Sequence, residues 1–282
     1  MKAHAFDYQI ASTVESACAA LQGDVRLVAG AQSLGPMLNL RLARPDMLLD
    51  ISRLPALRTF QATAEGLIIG AAITTAEIED GLLPDTTNGI LPRIASGIAY
   101  RSVRNRGTIG GSIAHADPSA DWCTTLSVLN AEVILQSRSS PAGFMSKERP
   151  SRRRMPVNAF LTGAFTTRLA KDELIVAIYI PRVDAATRFG YFKLCSKTGE
   201  LAHAMSAVLV CASGEQRAVI GALPGSPIML EGSSAFDEKV WRQRLSQAAP
   251  QMPPQTLRTH LHVLQRAMSD STQTYGAKHR GS

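Results

Sequence analysis

Cysteine is scarce in this chain, and its placement is wrong for metal work. The 282 residues include four cysteines, Cys18, Cys123, Cys195 and Cys211. None belongs to a CxxC pair, and separations this wide match neither an iron–sulfur nor a zinc pattern. The six histidines show no metal-ligand spacing. Aromatic residues make up only 5% of the chain, and no basic stretch alternates with them. A base-stacking nucleic-acid surface is therefore not expected, although the formal net charge is +7. No apolar run approaches membrane-spanning length. Met1 to Tyr8 lacks an apolar signal core. Together these absences predict a cytoplasmic chain with reduced thiols and no membrane span.

What is present is an ordinary globular balance, 45% hydrophobic and 19% charged. The length suffices for one large or two moderate domains. Ser12 to Gln22 reads as a helix, with Ser12 and Glu15 as its capping box. Its Val14, Ala17, Cys18 and Leu21 repeat at helical spacing, which makes Cys18 a core residue. A strand at Val25–Ala29, a turn at Gly30–Leu34, a helix at Pro36–Leu42 and a strand at Met47–Ile51 form a β–loop–α–β unit. Leu57–Ala62 and Leu67–Ala72 flank Ala64-Glu65-Gly66 as a hairpin. Thr74, with Glu77 three residues on, caps a second helix. Leu91–Tyr100 and Trp122–Leu129 read as helices, and Glu132–Gln136 as a strand.

Ser137 to Pro156 is rich in Arg and Lys and punctuated by Pro and Gly. It reads as an exposed, solvated loop. Strands are expected at Leu174–Ile180, Phe189–Leu194, Ala204–Cys211 and Ala218–Ala222. Helices follow at Val240–Ala248 and Thr256–Met268, with a loose polar tail from Ser269. A boundary near Pro181–Thr187 separates an N-terminal ligand-binding domain from a smaller α+β domain.

Chemistry concentrates in Arg104-Asn105-Arg106-Gly107-Thr108-Ile109-Gly110-Gly111-Ser112 and its continuation Ile113-Ala114-His115-Ala116-Asp117-Pro118-Ser119-Ala120-Asp121. Closely spaced glycines let a backbone bend tightly and approach a ligand. Successive N–H groups in such a loop form an anion site. A second glycine-containing loop runs from Ala29 to Leu34, and the two read as a clamp for a diphosphate. Neither fits G-x-G-x-x-G or GK[ST].

These segments, with Leu27-Val28-Ala29-Gly30-Ala31-Gln32-Ser33-Leu34 and Leu40-Arg41-Leu42-Ala43-Arg44-Pro45, resemble the FAD-binding medium subunit of the molybdenum hydroxylases. The carbon monoxide, xanthine and N-heterocycle dehydrogenases belong to that family. The likeness continues through Phe160-Leu161-Thr162-Gly163, Asp172-Glu173-Leu174-Ile175 and Tyr191-Phe192-Lys193-Leu194, and weakens in the C-terminal third.

The resemblance implies an α+β fold. A vanillyl-alcohol-oxidase/PCMH-type FAD-binding domain would span residues 1–180, in lobes of about 1–55 and 56–180. A small CO-dehydrogenase-flavoprotein-like domain would span 181–282. The implied cofactor contacts are Leu27, Val28, Ala29, Gly30, Ala31, Gln32, Ser33 and Leu34 on one side of the diphosphate. Thr108, Ile109, Gly110, Gly111 and Ser112 are implied on the other. Ile98, Asp117, Asp121, Ile175, Tyr191 and Lys193 complete the implied set, with Lys193 near the ring system and Tyr191 shielding a flavin face. No residue is assigned as catalytic. Molybdopterin and two [2Fe-2S] clusters are implied in a large and a small partner subunit, the whole being a dimer of heterotrimers. Electrons would pass from the clusters through this FAD to an external acceptor.

Each assignment has a plainer competitor. Asp121 also suits helix capping, and Asp117, before Pro118, suits a turn. His115, Trp122, Cys123, Cys195 and Cys211 read as packing residues. Arg104 and Arg106 read as structural pairs beside the glycine loop. Two rival functions are a stand-alone flavin reductase, which would need its own acid and base near the flavin, and a scaffold that has lost FAD. Ala31 stands where the family usually has glycine, which bears on the turn.

Overall fold

The computed structural model describes residues 2–138 and 152–272 of the chain. The first 50 residues build β1 (Asp7–Ile10), α1 (Val14–Ala20), β2 (Val25–Val28), α2 (Leu34–Asn39) and β3 (Met47–Asp50). The three strands form a parallel sheet in the order β1-β3-β2. Val14, Ala17 and Cys18 of α1 are buried with Leu49, Ile51 and Leu54, as the helical spacing predicts. The cap differs from the expected one: Thr13, not Ser12, accepts from the Ser16 N–H, and Ser16 returns the bond. α2 begins two residues early and ends before Leu40. β1 escaped the sequence reading because all four of its residues are exposed, so no alternation marks it.

A five-stranded sheet follows, in the order β4-β5-β10-β6-β7. Its strands are β4 (Phe60–Ala62), β5 (Gly66–Gly70), β6 (Glu132–Ser137), β7 (Arg152–Pro156) and β10 (Glu173–Pro181). The first two form the expected hairpin, although Leu57 lies in a 3₁₀ turn ahead of it. Between β5 and β6 run α3 (Thr75–Glu79), α4 (Ile90–Ser96), α5 (Arg101–Arg104), α6 (Ile109–His115) and α7 (Asp121–Val128). The capping box of α3 is formed by Thr74 and Glu77, as the sequence indicates. A short helix α8 (Val157–Phe160) and the small hairpin β8 (Leu161–Gly163) and β9 (Thr166–Thr167) link β7 to β10.

Part of the basic segment is a strand rather than a loop. Arg152 donates to Gln136 at 2.8 Å, Arg153 pairs with buried Glu173 at 2.7 Å and Arg154 approaches Glu132 at 3.5 Å. Two of its three charges are matched by acids across the sheet, which composition alone does not reveal. The rest of the expected loop, residues 139–151, lies outside the described residues.

The last sheet is antiparallel, ordered β11-β12-β13-β14: Arg188–Leu194, Ala204–Val210, Gln216–Gly221 and Ile228–Glu231. Behind it pack α9 (Glu238–Ala248) and α10 (Pro254–Thr272). α10 continues through Ser269 to Thr272, where a loose tail was expected; residues from 273 onward lie outside the description. It presses so closely on β11 that a Cβ at Gly190 would overlap the Ala267 carbonyl. On the other face, Gly221 leaves room for the Thr124 hydroxyl of α7. α7, buried along its whole length, thus joins the second and third sheets.

Candidate cofactor site

The two glycine segments, 77 residues apart, meet. A Cβ at Gly30 would overlap the carbonyl of Arg106 and come within 2.9 Å of Gly107 Cα. Glycine is required there by close backbone approach, since its φ is not positive. Ala31 holds the left-handed conformation, at φ 57°. Three carbonyls of the loop are engaged: Gly30 O by Gln32 Nε2 at 2.9 Å, Ala31 O by the Gly35 N–H at 2.9 Å, and Ser33 O by the Met37 N–H at 3.2 Å. Among the described residues, the N–H groups from Gly30 to Leu34 have no protein acceptor. A loop with three of its carbonyls engaged and its donors free has the makings of an anion-binding nest.

The second segment works differently from the sequence reading. It is the start of α6, with Thr108 as the N-cap. The Ile109 N–H donates to Ile73 O at 3.1 Å, Gly110 to Ala71 O at 3.0 Å, Gly111 to Thr108 Oγ1 at 3.1 Å and Ser112 to Thr108 O at 3.0 Å. Its donors are engaged inside the protein. None of its glycines has a positive φ. Gly110 is needed because a Cβ there would lie 2.5 Å from Ala71 Cβ, and tight seating of α6 against Ala71, just past the end of β5, fixes the wall that Gly30 touches.

β10 buttresses the same wall. The Ala71 N–H donates to Val176 O at 3.0 Å, beside a bulge between Ile175 and Ala177. Ile175 itself is buried in the main core.

A second cluster forms where α7 faces β11. Asp121 is the first residue of α7, and Ala120 is the N-cap, so the carboxylate is not a helix cap. Its Oδ1 instead accepts from the Tyr191 hydroxyl and the Lys193 ammonium, each at 2.7 Å. Lys193 also donates to Gly97 O at 2.7 Å, next to Ile98. Burial, and then the negative charge of Asp121, push the Tyr191 hydroxyl well above its ordinary pKa. Tyr191 is therefore a neutral donor here. Its backbone N–H donates to Asp270 Oδ2 at 2.8 Å, and the same oxygen pairs with Arg93 at 2.6 Å.

The plainer assignments are also visible. Asp117 accepts the Ser119 N–H at 2.8 Å in a side-chain turn. His115 packs its ring against Phe165, 5.1 Å between centroids. Arg104 makes a two-pronged pair with Glu79 and donates to Ile98 O and Ala99 O. Trp122 and Cys123 are buried. Asp270, Arg93 and Gly97 escaped the sequence reading. They lie on three separate segments, and no local pattern links them to Tyr191 or Lys193.

The fold and these two clusters define a mixed helix–strand chain with a loop of free N–H donors suited to an anionic cofactor; among the described residues no cysteine set could hold a metal cluster. Residues 4–183 match the model of the FAD binding domain in molybdopterin dehydrogenase. The carbon monoxide dehydrogenase medium chain of Hydrogenophaga pseudoflava is 35% identical over 212 residues, covering 74% of this chain and 70% of the relative. The 6-hydroxypseudooxynicotine dehydrogenase complex subunit alpha of Paenarthrobacter nicotinovorans is 33% identical over 213 residues, covering 74% and 68%. A solved structure of the Hydrogenophaga pseudoflava carbon monoxide dehydrogenase lacking the Mo-pyranopterin moiety of its cofactor superposes with a TM-score of 0.81 at 28% identity, over 96% of this chain and 99% of that one.

The chain belongs to the family of FAD-binding medium subunits of molybdenum hydroxylases. It is an oxidoreductase subunit, and FAD is its cofactor. The residues present fit that group: free N–H donors at Gly30–Leu34 suit a diphosphate, and the Gly30–Arg106 approach leaves no side chain between the walls.

Proposed function

We propose that this chain is the flavin relay of a heterotrimeric molybdenum hydroxylase. It takes electrons from [2Fe-2S] clusters in a small subunit and delivers them to an external acceptor. The organic substrate is oxidised in a large molybdopterin subunit. FAD, when bound, supplies reversible electron storage between the two transfers. The chain's own residues bind and orient it. The Gly30–Leu34 N–H groups hold the diphosphate, with Leu27, Val28 and Ala29 leading into the loop. Thr108, Ile109, Gly110, Gly111 and Ser112 act as the opposing wall rather than as a second row of donors. Lys193 places a positive charge at the ring system, fixed by Asp121 and Gly97, and Tyr191 holds a neutral hydroxyl beside it. Ile98 supplies apolar contact, and Ile175, whose side chain is buried in the core, approaches the ring system through its backbone. Asp117 shapes the turn that leads into α7.

The observation that carries this reading is the contact of Gly30 with Arg106 beside a run of unengaged N–H groups. The same reading assigns residues 1–180 to a two-lobed PCMH-type domain and 181–282 to the C-terminal domain. It makes the assembly a cytoplasmic dimer of heterotrimers. The stand-alone reductase gains no support from the site, where the Asp121 carboxylate is already bound by Lys193 and Tyr191. Co-expression with the neighbouring subunits, followed by visible absorbance, metal analysis and native mass spectrometry, tests the proposal. The expected result is a yellow-brown assembly with flavin in this chain and molybdenum and iron in two others. Colourless protein that takes up no added FAD would overturn it.

A further inference from the structure

β11 has two faces, and the cofactor cluster uses only one. Tyr191 and Lys193 turn toward Asp121. The alternate residues Phe192 and Leu194, with Val263 of α10, line an open groove of 480 Å³ on the opposite side. Arg258, His262 and Arg266 also line it. They stand at i, i+4 and i+8 of α10, on one stripe about 12 Å long at 1.5 Å per residue. Arg266 lies over the Phe192 ring at 5.2 Å. Among the described residues, neither Arg258 nor Arg266 has an acidic partner. The next position on the stripe is Asp270, whose Oδ2 is already engaged by Arg93 at 2.6 Å and by the Tyr191 N–H at 2.8 Å. Leu194 remains 43% exposed. An apolar floor beside unpaired cations is built for a ligand that is both apolar and anionic.

Neither stretch of sequence outside the described residues is rich in Asp or Glu. Residues 273–282 contain Lys278 and Arg280 and no acid, and residues 139–151 contain Lys147 and Arg149 against Glu148 alone. A second copy brings another net charge of +7.

We propose that this groove docks an acidic segment of another subunit of the assembly, with an apolar side chain on Phe192 and Leu194 and its carboxylates on Arg258 and Arg266. This rests on the reading of the chain as a complex subunit. It goes further by naming the surface and the chemistry of its partner. An open groove that sets apolar and cationic residues side by side suits a polypeptide segment, whose alternating side chains can meet both. Because β11 carries both faces, docking here also bears on the strand that positions Lys193.

The test uses the co-expressed assembly. Arg258→Glu/Arg266→Glu is compared with the control Lys239→Glu/Arg244→Glu, the same change of charge on exposed positions of α9. Subunit composition is followed by native mass spectrometry across a salt series. The groove variant is expected to release a subunit at less than half the salt concentration the wild type tolerates, with its flavin retained and the control unchanged. A benzoylphenylalanine photo-crosslinker at position 262 should capture a partner peptide rich in Asp and Glu around an apolar residue.

An unchanged salt midpoint, or a crosslink to a peptide without acids, would overturn the groove proposal and leave the subunit reading intact. Saturable binding of AMP or pyrophosphate to the groove, with assembly unaffected, would also overturn it in favour of a small-molecule site. A wild-type chain that purifies alone would overturn both readings. If the double variant fails to fold, the crosslinking arm decides.

Discussion

Lys193 Nζ and Asp121 Oδ1 stand 2.7 Å apart, with side chains 16% and 9% exposed. The pair joins β11 of the third sheet to α7, which packs against the second. Burial means that removing one partner strands the other in a poorly solvated place. Asp121→Asn and Lys193→Met should each lower unfolding free energy by about 3 kcal/mol. The double variant should cost at least ~1 kcal/mol less than the sum of the singles. Urea unfolding of the four proteins measures this, and simple additivity would show that the two groups do not depend on each other.

Gly30→Ala should separate the loops. The new Cβ meets backbone, which cannot rotate away. FAD affinity should fall by at least about tenfold, or about 1.4 kcal/mol, as measured by equilibrium dialysis of the co-expressed assembly. Gly35→Ala is the matched control, because a Cβ there has nothing within 4 Å. Equal affinity in both variants would argue against the contact between the loops.

Ala31 carries a strain that glycine would remove. A left-handed alanine costs roughly 1–2 kcal/mol, while glycine adds unfolded-state entropy of roughly 0.5–1 kcal/mol. Ala31→Gly should therefore be neutral or stabilising by up to about 1 kcal/mol, with FAD still bound. Thermal melts with and without FAD check this. Marked destabilisation would mean that residue 31 does not adopt positive φ.

His260 should make stability depend on pH. It is buried on α10, and burial lowers its pKa from 6.5 to about 4. The folded form stays neutral in that range while the unfolded form takes up a proton. Stability is thus complete above pH 6.5 and declines as pH falls toward 4, by about 2 kcal/mol at pH 5 relative to pH 7. His260→Leu should flatten this part of the profile. Denaturant titrations at pH 5 and pH 7 compare the two proteins; equal pH slopes would place the dependence elsewhere.

Much of the fold was legible locally. Helices and strands with one buried face announced themselves by spacing, as α1 did through Val14, Ala17 and Cys18, and Thr74–Glu77 announced a helix start. Elements without such a face did not. β1 is exposed throughout, and β7 hides its pairing behind three arginines. At the site, glycine density located the two segments and, with the resemblance, the family. It did not give their geometry: the stretch after Thr108 is a helix whose glycines serve packing against Ala71.

The sequence by itself determined the identities that chemistry requires: small residues where a diphosphate would approach, a lysine and a tyrosine two positions apart on one strand, and cysteines unable to hold a cluster. Tertiary structure decided which of these groups act together. It set Gly30 against Arg106, engaged the donors of α6 while leaving those of Gly30–Leu34 free, and turned Asp121 from its own helix toward Tyr191 and Lys193. The reason is physical. Whether a donor is free or a carboxylate is bound depends on neighbours far away in the chain, and only packing brings those neighbours within hydrogen-bond reach.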